Sequence, residues 1–370
     1  MQQVNAAVAA NTWPSPPAPH LFTWGLNAGG QLGLGNTTNY SSPKQVGTLT
    51  TWLTVASGSY FSTAIKDDGT IWSWGDNNYG QLGLGNTTLY SSPKQIGALT
   101  GWSVVSNNNY QTASIKTNGT LWAWGYNGNG VLGLGNTTNY SSPKQVGALT
   151  TWLSIAGGYG RTFAIKTDGA LWAWGYNGNG VLGLGNTTNY SSPKQVGALT
   201  TWLQVAANYS HNSAVKTDGT LWTWGYNSNG QLGLGNTTSY SSPKQVGALT
   251  GWLSVGAAYN ATFAIKTDGT IWSWGYNSNG QLGLGNTTSY SSPKQIGALT
   301  NWSKVVGGIN SASVIALKTD GTLWGWGGNT YGQLGLGNTT QYSSPKQIGT
   351  LATWSKISLG QNQAIGIATT

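Results

Sequence analysis

Cysteine and glutamate are both missing from this chain of 370 residues, and arginine occurs once, at Arg161. Without cysteine there are no disulfides, thiolate metal sites or cysteine nucleophiles. Histidine is scarce as well, present only at His20 and His211. The seven acids are Asp67, Asp68, Asp76, Asp168, Asp218, Asp268 and Asp320. Charged residues make up only 6% of the chain, so solubility rests on Asn, Thr, Ser and Gly. Such surfaces are familiar in extracellular and virion proteins. No apolar run approaches the roughly 18 residues of a membrane-spanning helix, so membrane insertion is not expected. No basic segment followed by an apolar one opens the chain, so no secretory signal is legible.

These shortages leave little for catalysis. No histidine stands in a motif with an acid and a serine nucleophile. Asp68, Asp168, Asp218, Asp268 and Asp320 each precede a glycine in a tight turn, and turn geometry explains them. Asp67 adjoins one such turn. No group of residues fits a zinc or calcium site. The glycines follow no strand–loop–helix pattern that would cradle phosphate. The expectation is a protein with no enzyme activity, no cofactor and no metal.

The formal net charge of +9 comes from lysine. Lys44, Lys94, Lys144, Lys194, Lys244, Lys294 and Lys346 recur once per repeat and form a widely spaced ring. A nucleic-acid site clusters its cations in one stripe, with arginine for bidentate contacts, so nucleic acid is disfavoured as a partner.

What is present is repetition. Trp24, Trp74, Trp124, Trp174, Trp224 and Trp274 are spaced by 50 residues, and Trp326 follows after 52. Within each period four strands are expected, of the types Trp52–Ala56, Thr63–Lys66, Ile71–Trp74 and Pro43–Val46. The second and third are joined by Asp-Gly, or once by Asn118-Gly119, which is a tight-hairpin signal. The proline places the fourth strand at an outer edge. No segment has apolar residues at helical spacing.

Four strands per roughly 50 residues, repeated radially, predict an all-β fold: a seven-bladed β-propeller of four-stranded blades. The chain begins with a third and a fourth strand (Phe22–Trp24, Pro43–Val46) and ends with a first and a second (Trp354–Ser358, Ala364–Ala368). These N-terminal and C-terminal half-blades are complementary, and pairing them closes the ring and removes the open edge. The paired tryptophans, such as Trp122 and Trp124, are expected to fill the wedge between blades. Residues 21–370 form the propeller. Residues 1–20, Met1 to His20, form an Ala/Pro-rich arm, read here as docking on a neighbouring chain in a larger assembly.

The run from Trp222 to Gly235, with its Trp-x-Trp-Gly-x-Asn-x-x-Gly-Gln-Leu-Gly-x-Gly pattern, resembles the regulator-of-chromosome-condensation repeat family. The later Lys-Thr-Asp-Gly-Thr-Leu-Trp matches the same pattern, and the resemblance covers about residues 21–370. It implies a seven-bladed propeller that acts as a binding platform. Members of the family include a nucleotide exchange factor for a small GTPase, a plant ultraviolet photoreceptor and a secreted inhibitor of β-lactamase. At the positions where the family often carries a histidine after the first strand, this chain holds Phe61, Gln111, Arg161, His211 and Asn260. The photoreceptor's Gly-Trp-Arg-His-Thr motif is absent.

The repeats agree nearly everywhere but differ between the first and second strands. That loop shares a face of the disc with the long loop between the third and fourth strands. Tyr60, Phe61, Tyr110, Gln111, Tyr159, Arg161, Tyr209, His211, Tyr259, Asn260, Asn310 and Asn362 are therefore the candidate binding residues. The expected partner on this face is a protein or a glycan. The leading expectation is a non-enzymatic phage or viral particle component, placed in a virion or outside the cell. The alternatives are a bacterial or secreted inhibitor-like module, a GTPase exchange factor or chromatin binder, and a designed consensus propeller.

Overall fold

A computed structural model describes residues 18–370. Twenty-eight strands form seven antiparallel four-stranded sheets, and the described residues contain no helix. The first blade runs from Trp52 to Gln95, and its strands span Trp52–Ser57, Phe61–Lys66, Ile71–Gly75 and Tyr90–Gln95. Five more blades follow in the same order. The seventh is composite: Trp354–Leu359 and Gln363–Thr369 supply its inner strands, Pro19–Gly25 and Tyr40–Gln45 its outer ones.

The composite blade closes the ring as the sequence predicts. Pro19 pairs with Thr369, Trp24 with Ala364 and Gly25 with Gln363, so the ladder joins both ends of the chain. Its strand begins at Pro19, two residues inside the segment read as an arm. The expected docking of that arm falls on residues 1–17, outside the described residues.

The outermost strand starts at Tyr40, earlier than the expected Pro43, and stops at Gln45. The shift has a local cause. Gly25 faces Tyr40 and Thr23 faces Lys44, with a register change between them. Ser41, Ser42 and Pro43 fill that bulge, where a missing N–H breaks no ladder bond.

Neighbouring blades are clamped by the tryptophan at the end of each third strand. Trp74 Nε1 donates to Gln31 O at 2.9 Å, and Trp124 Nε1 to Gln81 O at 3.0 Å. In both cases the acceptor lies in the long loop of the preceding blade. A glycine from that loop faces each indole: a Cβ on Gly133 would stand 2.7 Å from Trp174 Nε1. Gly133 also has φ of 75°, a conformation other residues enter only with strain. In five blades the tryptophan opening the first strand packs edge-on against both indoles of its blade, as Trp102 does on Trp122 and Trp124 at 6.0 and 5.9 Å, while Trp52 meets Trp72 and Trp354 packs on Phe22 and Trp24.

The disc has two unlike faces. The 1–2 loops and the long 3–4 loops meet on one, the loop face. The tight hairpins and the 4–1 connections meet on the other, the turn face, where Asp67 N donates to Thr51 O at 2.9 Å. Every lysine sits at the turn-face end of a second strand, on an outermost strand, or on the inner strands at Lys304 and Lys356. Both ends of the described chain leave on the turn face.

Candidate binding face

The 1–2 loops carry tyrosines in two settings. Tyr60 and Tyr110 immediately precede the second strand. Tyr159, Tyr209 and Tyr259 stand one position earlier, followed by Gly160, Ser210 and Asn260. Gly160 and Asn260 take positive φ, 69° and 50°, to make the turn. Because the tyrosines of adjacent blades lie side by side, they stack into an arc. Tyr159 and Tyr209 have ring centroids 4.8 Å apart, and Tyr209 and Tyr259 5.6 Å.

The arc continues into the 3–4 loops. Tyr79 lies 5.1 Å from both Tyr110 and Tyr126. A cavity of about 190 Å³ opens where the two tyrosine settings meet, lined by Tyr79, Tyr110, Gln111, Tyr126 and Tyr159 among others. Burial pushes the Tyr110 hydroxyl above its usual pKa, and Tyr60, Tyr79, Tyr159 and Asp76 add to the effect. Asp76 is the one acid on this face among the described residues. Burial raises its pKa, partly offset by the amide of Gln81, which donates to it at 2.8 Å.

Four of the expected contact residues are not on the surface. Phe61, Arg161 and His211 are fully buried and Gln111 nearly so. Each opens a second strand and points into the gap between blades. The exposed-loop reading of these residues, and of the buried Asn260, is corrected. The register also shows that Ala261, not Asn260, occupies the position of Arg161 and His211: Arg161, His211 and Ala261 each pair with the glycine that ends a third strand.

These buried side chains lock one blade to the next. Gln111 Nε2 donates to Thr162 Oγ1 at 2.9 Å, Arg161 Nε to Asn212 Oδ1 at 3.1 Å, and His211 Nε2 meets Thr262 Oγ1 at 2.8 Å. Arg161 makes four further bonds to the carbonyls of Tyr159, Tyr209, Asn208 and His211. All five guanidinium N–H groups are used and none reaches a carboxylate, so burial lowers its pKa to about 9. Burial, with Arg161 nearby, lowers that of His211 to about 3.

The remaining candidates hold the loops in place. Asn310, at φ 53°, receives Asn208 across two blades: Asn310 N donates to Asn208 Oδ1, and Asn208 Nδ2 to Gly308 O. Asn362 O accepts from Leu26 N at 2.8 Å, bridging the two ends of the chain. Tyr60, Tyr110, Tyr159, Tyr209 and Tyr259 are thus the candidates that the structure brings together at the surface.

Tyr79, Tyr126 and Asp76 were not among the residues expected. Their signal lay in the 3–4 loop, where one position reads Leu26, Asp76, Tyr126, Tyr176, Tyr226, Tyr276 and Gly328 and another reads Gly29, Tyr79, Asn129, Asn179, Asn229, Asn279 and Tyr331.

Inside the ring, the first strands of all seven blades line a channel with a cavity of about 410 Å³. No acid lines it, and Lys304 donates to Ile357 O at 3.3 Å. Solvent reaches Lys304 along the channel, but the surrounding walls and Lys356 lower its pKa.

Comparison with known proteins agrees with this architecture. The family model described as the RCC1-like domain matches residues 148–370, and the regulator of chromosome condensation (RCC1) repeat matches residues 20–65, 68–107 and 118–165. No curated protein sequence matches the chain. Human WBSCR16 is similar in fold at 20% identity, over 95% of this chain and 99% of that one, with a TM-score of 0.86. Prp20p of Saccharomyces cerevisiae, described with its binding to Gsp1p and histones, is 19% identical over 96% of this chain and 92% of that one, with a TM-score of 0.84. The yeast RCC1 (Prp20) structure bound to Kap60 is 20% identical over 96% of this chain and 90% of that one, with a TM-score of 0.86.

These likenesses overturn the expectation of a phage or viral particle component in a virion or extracellular setting. That expectation rested on a charge-poor surface and an arm. The three solved structures described above match this chain along nearly its whole length and are human and yeast proteins. The charge-poor surface has a simpler source, since a repeat with one lysine-bearing outer strand and one Asp-Gly turn places few charges per blade.

Proposed function

Because the chain belongs to the regulator of chromosome condensation (RCC1) repeat family, we propose that it is a non-catalytic protein-binding platform whose partner sits on the loop face. One observation carries this reading: the arc of tyrosines on the only face that holds no exposed lysine. Tyr159 and Tyr209 are 37% and 38% exposed, high values for large aromatics that stack on one another. Tyrosine gives contact area at low entropic cost and keeps a hydroxyl for hydrogen bonding. The locks beneath the arc hold it rigid, so little ordering is needed on binding. The two ends of the described chain, Pro19 and Thr369, lie on the opposite face.

The partners recorded for Prp20p, Gsp1p and histones, are the classes to try first. Histones are strongly basic and suit a face free of lysine; the turn face and rim would repel them. The direct experiment measures binding of the purified protein to histones and to a small GTPase, together with nucleotide release from the GTPase. Tyr209→Ala and Tyr159→Ala should weaken the complex, and Leu149→Ser on the turn face should not. Binding lost only in Leu149→Ser would overturn the assignment of the face.

A further inference from the structure

We infer that the cavity among Tyr79, Tyr110, Tyr126 and Tyr159, with Gln111 in its wall and Asp76 on the same loop as Tyr79, is a site for the cationic head of an arginine or lysine side chain from the partner. The inference rests on the loop-face reading and names the chemistry that the face selects. Four phenol rings border the space, and their faces carry the negative part of the ring quadrupole, which attracts a desolvated cation. The cavity, about 190 Å³, takes one long side chain and not a folded segment.

Two further features call for a donor-bearing cation and not a neutral group. Gln111 is 2% exposed and its Nε2 is committed to Thr162, yet its Oε1 has no hydrogen-bond partner. The assignment of that amide is fixed by its neighbour: Thr162 Oγ1 donates to Val131 O and must accept from Gln111. Gln111 lines the cavity and carries a buried acceptor with no donor of its own. Asp76 is the second feature. Its oxygens accept from the neutral side-chain amides of Asn78 and Gln81, at 2.6 and 2.8 Å, and from no cation. Its equivalents in the next four blades are Tyr126, Tyr176, Tyr226 and Tyr276, so the acid of this face stands on the loop that brings Tyr79 to the cavity. No exposed lysine or arginine shares the face to repel an incoming cation. A neutral sugar would stack on the tyrosines equally well but would leave the carboxylate without a counter-charge.

The test uses the full chain with ring-labelled tyrosine, followed by NMR, and two probes of one shape. Nα-acetyl-arginine amide carries the charge, and Nα-acetyl-citrulline amide is its uncharged isostere. The arginine probe should bind at least about tenfold more tightly and shift the ring signals of Tyr79, Tyr110 and Tyr126. Asp76→Asn removes the charge at nearly constant shape, keeping one of the two amide bonds, and should cut the preference to less than about threefold while the spectrum stays folded. Equal binding of the two probes, or shifts confined to Tyr209 and Tyr259, would overturn the site. The wider reading fails separately. If Tyr209→Ala abolishes partner binding and Asp76→Asn leaves it unchanged, the face stands and the cation site falls. If neither change matters, the face itself is wrong.

Discussion

Trp24 Nε1 donates to the backbone carbonyl of Gln333 at 3.0 Å, joining residues 309 positions apart. The same bond recurs at every blade junction, but its surroundings differ. At the first blade, Gln31 O accepts from both Trp74 Nε1 and Ser62 Oγ. At the junction of the chain ends, the residue in the place of Ser62 is Ala364, and Gln333 O has the indole as its one side-chain donor.

Replacing either tryptophan with phenylalanine removes similar ring volume, but only one change strands a buried carbonyl. Trp24→Phe should therefore destabilise the fold by about 1–3 kcal/mol more than Trp74→Phe. Urea unfolding midpoints of the two variants measure the difference, and equal midpoints would refute it.

Arg161 should tolerate no substitute. Arg161→Met leaves the Tyr209 carbonyl and Asn212 Oδ1 without a donor and the carbonyls of Asn208 and His211 with only a backbone donor each, for a loss of about 2–4 kcal/mol. Arg161→Lys should not rescue it, because an ammonium cannot span five acceptors in a plane. Thermal denaturation of the three proteins provides the check.

Acid should destabilise the protein through His211. Its folded pKa of about 3 lies below the ordinary 6.5. Between those values the unfolded chain binds a proton that the folded chain refuses, so stability falls as pH drops through that window. The stabilisation is fully present above about pH 6.5, and one such group sets a slope of at most about 1.4 kcal/mol per pH unit. His211→Gln should flatten the stability profile between pH 6.5 and 4. An unchanged slope would show that the aspartates dominate.

Gly133→Ala places a methyl group 2.7 Å from Trp174 Nε1 on a backbone with φ of 75°. Strain and clash together should cost about 2–4 kcal/mol. Gly147→Ala, at φ 60° with nothing within 4 Å, isolates the backbone part. Comparing the two by calorimetry separates packing from conformation.

The blade count, the four strands and the composite blade were legible because a 50-residue period repeats the same hairpin and tryptophan signals. The site was less so. The second strand is buried on both faces, as Phe61–Lys66 shows, so no polar–apolar alternation marks which residues point inward. Arg161 and His211 carry surface chemistry in composition and interior chemistry in place. Counting 50 residues from His211 reaches Ala261, which the visual likeness of the loops disguised as Asn260. Asp76 was legible only as an exception, one acid where four successive repeats hold tyrosine.

Pro19 stands opposite Thr369 in the ladder, so the two described ends lie one interstrand spacing apart, about 5 Å. A linker of a few residues would join them, and the chain could then be cut in any 4–1 connection, such as Gly97 to Gly101. The circular permutant would keep the same seven sheets, with the covalent seam moved to a junction of choice. Opened there, every blade would be continuous in sequence, and the protein would lose the one sheet whose assembly must wait for the last residues to be made.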